Sequence, residues 1–110
     1  MQPIQTLDFL LDNKKRIRTL LTLHPDATGK NVGYADLSYT NAGSSLLYEV
    51  PTQSNRSVID AGRLAYQFAQ QEAKIAGNLK ITEAHLEGEE FLEKSDIEQI
   101  TGNAIVVIVV

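Results

Sequence analysis

With 110 residues, 43% of them apolar and 22% charged, the chain suits one domain with a real core and is too apolar to stay disordered, so residues 1–110 are read as a single domain. There is no cysteine, which excludes disulfide frameworks, zinc–thiolate centres, iron–sulfur clusters and thiol nucleophiles. The formal charge of −4 sits entirely in residues 56–110, where nine acids face five bases, and net acidity argues against general nucleic-acid binding, which rests on neutralising phosphates.

The opening stretch "MQPIQTLDFLLDNKK" has neither a basic region ahead of its apolar run nor a small-residue cleavage site, so no signal peptide is expected. Leu7, Leu10 and Leu11 recur at helical spacing and Asp12-Asn13 makes a stop, giving a short N-terminal helix over about 4–13. "RIRTLLTLH" is rich in threonine and leucine and precedes Pro25, so about 16–24 reads as a strand. One long helix through Ile17, Leu20, Leu21 and His24 is the alternative. "PDATGKN" follows as a turn-rich loop.

Two strand-like runs come next, "VGYADLSYT" (32–40) and "SLLYEV" (45–50). The "NAGS" between them holds the Asn and Gly that a hairpin turn uses for positive φ. Leu46, Tyr48 and Val50 fall on one face, and Pro51, which has no backbone donor, ends the ladder.

"SNRSVIDAGRLAYQFAQQEAKIAGN" predicts the long helix, about 57–77. Ser57 with Asp60 resembles a capping box, and Gly77-Asn78 is a stop. Ala61, Leu64, Phe68 and Ile75 form a bulky stripe; beside it Gly62, Ala65, Ala69, Ala73 and Ala76 form a small one that lets a neighbouring backbone approach. Such a helix should lie flat on a sheet.

"LKITEAHL" reads as a strand, "EGEEFLEK" as a charged connector, and "SDIEQITG" as a short helix with Ser95 and Glu98 at its start and Gly102 at its stop. The closing "AIVVIVV" is unalternated Ile and Val after one Ala, the pattern of a strand buried on both faces and hence inside a sheet. Burying those six Ile and Val side chains would contribute on the order of 10 kcal/mol before entropy costs. As a helix the run would reach only about 10 Å, far short of a bilayer core of about 30 Å, so a membrane anchor is not expected. A sheet with one helix layer leaves one face of such a strand bare, and the N-terminal helix or a second copy of the chain is expected to cover it.

The motifs of chemistry are mostly missing. "ATGK" (27–30) lacks the first glycine and the Ser or Thr of a phosphate-binding loop, since His24 and Asn31 stand there. His24 and His85 are the only histidines and belong to no metal or triad pattern; each has carboxylates nearby, Asp26 for the first and Glu83 or Glu87 for the second. No metal site and no cofactor is expected, and catalysis is not.

Two charged segments are the candidate partner-binding residues. Lys14, Lys15, Arg16 and Arg18 form the only basic cluster, with no aromatic interleaved for base stacking. Glu87, Glu89, Glu90 and Glu93 form an acidic run without the Asp/Asn order of a calcium loop. Each is first a solvated face; the sharper readings are contact with an acidic neighbour and docking on a basic partner.

The expectation is therefore an α+β domain: a mostly antiparallel sheet, the long helix packed on it, a short N-terminal helix and a C-terminal inner strand. The leading functional expectation is a non-enzymatic assembly or adaptor subunit of a larger complex, such as a phage-like particle, located in the cytoplasm or in that particle. A homo-oligomer or protein partner is expected, with no membrane and no nucleic acid. An acidic inhibitor or immunity-type protein is the alternative, and a ligand or enzymatic pocket built on His24 or His85 the third reading.

Overall fold

A computed structural model of the chain describes residues 4–24, 33–41, 44–50, 57–88 and 91–110; between 37 and 50 it is the backbone that is described. Its elements in chain order are β1 (Ile4–Leu11), β2 (Arg16–Leu23), β3 (Gly33–Asn41), β4 (Ser44–Val50), α1 (Val58–Ile75), β5 (Ile81–Glu87), α2 (Lys94–Thr101) and β6 (Val106–Val109). The strands form one sheet in the order β4-β3-β2-β1-β5-β6. All neighbours are antiparallel except β5 and β6, which run parallel and are joined by the crossover through α2 that a parallel pair requires. The α+β reading and the mostly antiparallel sheet hold.

The N-terminal helix does not form: residues 4–11 are β1, an inner strand between β2 and β5. Leu7 and Leu11 of that helical spacing also fall in a period-two phase with Gln5 and Phe9, while Leu10 falls on the other face, and sheet pairing decides between the two periods. Gln5, Leu7, Phe9 and Leu11 are buried on the helix-covered side, opposite Leu21, Thr19 and Ile17 on one flank and Leu86, Ala84 and Ile81 on the other. Asp12-Asn13 is a stop after all, but of a strand. The hairpin closes through Leu11 N–H donating to the Lys15 carbonyl at 2.8 Å, with Lys14 at φ +69°. This also removes the single-long-helix alternative and keeps the strand over 16–24.

Helix α1 starts at Ser57, whose Oγ accepts from Asp60 N–H at 3.1 Å. Its buried face is Val58, Ala61, Gly62, Ala65, Ala69 and Ala73, which is the small stripe without the exposed Ala76 and with Ala61 of the bulky one, whereas Leu64 and Phe68 are half-buried and Ile75 is 75% exposed. The bulky stripe was expected to share that burial. The helix instead sinks its smallest side chains toward β2 and β3, because they let its axis come closest. Gly62 marks the tightest approach: a Cβ there would sit 2.4 Å from Cδ1 of Ile100 on α2.

Helix α2 begins two residues earlier than a cap at Ser95 implied. Glu93 is its cap, and Glu93 N–H donates to Asp96 Oδ2 at 2.9 Å. Gly102, at φ +65°, ends it in the left-handed conformation as expected. Ile97 and Ile100 close the core over Leu92 and Val107.

The inner position expected for the closing strand is overturned. β6 is the last strand of the sheet and pairs with β5 alone among the described strands. Val107 is buried, but Val106 is 61%, Ile108 38%, Val109 39% and Val110 70% exposed. The unalternated Val/Ile run reflects an edge exposed on two sides rather than a strand sealed on two sides. Nor does an N-terminal helix cover the second sheet face, since β1 occupies those residues. That face, opposite the helices, is not covered by either described helix.

Candidate functional site

The sheet face that neither described helix covers holds three of the charged candidates, Arg16, Arg18 and Glu87, together with His85. By register, His85 of β5 stands opposite Asp8 of β1, and Asp8 opposite Arg18 of β2. Asp8 is only 1% exposed although neither described helix lies over it. Two ion pairs hold it: Arg18 donates from Nε to Oδ1 and from Nη2 to Oδ2, each at 3.1 Å, and Arg16 Nη1 donates to Oδ2 at 3.3 Å. The fork-shaped grip of Arg18 is the geometry that favours arginine over lysine. The hydrogen bond and the charge of Asp8 raise the Arg18 guanidinium above its ordinary value; burial opposes this and the Glu87 carboxylate adds to it. Beside them His85 Nε2 and Glu83 Oε2 are 2.9 Å apart, half-buried on the same strand.

The basic cluster is thus divided by the fold. Arg16 and Arg18 lie on the uncovered face with Asp8, while Lys14 and Lys15 stay at the β1–β2 turn, Lys14 in solvent. The acidic run is divided too. Glu87 ends β5, Glu93 caps α2 in solvent, and Glu89 and Glu90 lie outside the described residues. His85 is joined to a carboxylate as the sequence allowed; His24 follows the end of β2, half-buried. Among the described residues no group of three His, Asp or Glu side chains is arranged to hold a metal ion.

Gln5 is a functional candidate that the sequence reading passed over. Completely buried at the start of β1, it reaches across to the β5–α2 connector. Its Nε2 donates to the carbonyls of Glu87 and Gly88, and its Oε1 accepts from Leu92 N–H at 3.2 Å and Phe91 N–H at 3.5 Å. Gly88, at φ +76°, gives the connector the backbone turn that presents its carbonyl to Gln5. One inward amide therefore fixes both ends of the acidic segment. Only a polar residue in the apolar phase of an alternating strand hints at this in the sequence.

A cleft of about 290 Å³ opens on the helix side, between the C-terminal half of α1, the start of β5 and the Ala104–Ile105 segment. Tyr66, Gln70, Lys80, Ile81 and Ile105 line it. Tyr66 also packs on Phe9, with ring centroids 5.5 Å apart and planes tilted by 38°. Because Phe9 and His85 lie on opposite sides of the sheet, this cleft does not contain the His85–Glu83 pair. Burial raises the Tyr66 phenol above its ordinary value of 10.0. The folded state then holds that proton more firmly than the unfolded chain, so this part of the stability is present below pH 10 and lost as pH rises through the folded-state value. Chemical denaturation across pH 9–11 should show a decline that Tyr66→Phe flattens; an unchanged slope in the variant contradicts it.

No protein-family model matches this chain, and comparison with curated proteins and with solved structures also finds no match. Its function is therefore argued from geometry. No helix among the described residues is long and apolar enough to cross a membrane.

Proposed function

We propose that this protein is a non-enzymatic assembly subunit, a small α+β domain that self-associates or docks within a larger multiprotein complex in the cytoplasm or in a particle. One observation carries the reading: β6 presents an edge that no other described strand pairs, and four apolar side chains of residues 106–110 are between 38% and 70% exposed. A strand edge offers a row of hydrogen-bonding groups to another chain, and natural proteins normally blunt it with lysine, proline or a bulge. Residues 106–110 contain none of the charged residues or prolines that do so, and their pairing with β5 shows no register shift. An edge left open and apolar is what an assembly contact requires.

The charged candidates fit a supporting role. Asp8 occupies Arg16 and Arg18, which makes the pair a structural cross-brace before it is a binding surface. Size-exclusion chromatography with light scattering over a wide concentration range tests the proposal. Mass should rise above that of one chain as concentration increases, or a partner should co-elute from a pull-down. A strict monomer with no partner overturns it.

A further inference from the structure

We infer that the assembly contact is a two-fold antiparallel pairing of β6 with β6 of a second copy, centred on Ile108, which continues the sheet from one subunit into the next. The inference rests on the assembly reading and supplies its geometry. Val110 N–H donates to the Leu86 carbonyl at 2.9 Å, so Val110 directs its backbone toward β5. In a strand, alternate residues send both backbone groups to the same side. Val106 and Ile108 therefore also turn toward β5, while Val107 and Val109 send their N–H and C=O out from the sheet edge. An extended strand is the partner that would satisfy both residues' groups together.

The sequence of the edge says which strand. Residues 106–110 read Val-Val-Ile-Val-Val, the same in both directions. Two antiparallel copies centred on Ile108 set Val107 opposite Val109 of the partner subunit, and Val109 opposite the partner's Val107. Every outward donor then meets an outward acceptor, and both pairs are of the hydrogen-bonded kind. Ile108 meets the partner's Ile108 across the axis in a non-hydrogen-bonded pair, where side chains come closest. Val106 meets the partner's Val110 on the same face. No charge or proline falls anywhere in the pairing, and each residue opposes one of its own size. A two-fold contact needs a patch that is complementary to itself, and this edge is.

The absence of native cysteine makes the test direct. In the centred register Ile108→Cys should form a disulfide with its own copy under mild oxidation, because non-hydrogen-bonded partners lie about 4.5 Å apart at Cα, within disulfide reach. Val106→Cys alone should not cross-link, whereas an equal mixture of Val106→Cys and Val110→Cys should. These positions are exposed, so the variants should keep the wild-type circular dichroism. Self-linkage at 108 together with mixed linkage of 106 and 110 supports the inference. An oligomer by light scattering that links at neither overturns the strand pairing and leaves the assembly reading standing. Efficient self-linkage of Val106→Cys overturns the register. A monomer at every concentration overturns the strand pairing, and if no partner co-elutes in a pull-down it overturns the assembly reading as well.

Discussion

Phe9→Ala should lower the folding free energy by about 3–5 kcal/mol, the largest single loss expected in this domain. Phe9 is fully buried in β1, flanked by Ile17 and Ala84 on the neighbouring strands and covered by Tyr66 of α1. Its ring is the largest side chain in a core whose helix side is mostly alanine, so little around it can move in to fill the space. Alanine on the helix cannot lengthen, and the strands on either side are fixed by their ladders. Native domains are stable by only about 5–15 kcal/mol, so the variant should lose a third or more of its margin. Urea denaturation is the measurement: the midpoint should fall sharply at unchanged slope, and Phe9→Leu should fall by less than about 1.5 kcal/mol. A Phe9→Ala midpoint near wild type would mean that the ring is not at the centre of the core.

The second large effect is expected at Asp8, which holds two guanidinium groups while almost fully buried itself. Breaking a fully buried ion pair costs about 3–5 kcal/mol. The Arg16 and Arg18 side chains, however, are 44% and 42% exposed and can turn to water when their acceptor is removed. Asp8→Ala should therefore cost about 2 kcal/mol. For a domain of this size that is a drop in Tm of about 10 °C. The same substitution in an Arg16→Ala/Arg18→Ala background should cost much less, because the carboxylate then has no cation to hold. Equal losses in the two backgrounds would show that the brace contributes nothing and that Asp8 acts through packing alone.

The parts of the fold most legible in the sequence were those specified locally. Helix α1 was marked by Ser57 at its start and Gly77 at its stop, and the β2 and β5 segments by composition. The β3–β4 pairing follows the proposed hairpin, while its turn residues Ala42 and Gly43 lie outside the described residues. What was hidden depended on distant partners. Residues 4–11 fit a helical and an alternating pattern at once, and pairing with β2 and β5 decides between them. The Val/Ile run of β6 has the composition of a buried strand, and composition cannot distinguish a face sealed inside the chain from one left for another chain. The candidate site was half legible. His85 with Glu83 lies two residues apart on one strand, whereas the Asp8 brace and the Gln5 anchor are made across strands and connectors.

The sheet's middle also has a consequence for how the molecule comes together. β2, β3 and β4 are joined to one another by neighbours in sequence, but β1 gains its second flank only when Ile81–Glu87 arrives from beyond the long helix. Closing so large a loop before any contact rewards it slows the search for the native state. Until that strand docks, Phe9 and Leu7 have a bare neighbour position, and a shortened chain ending before residue 81 would carry a permanently unzipped seam through its centre.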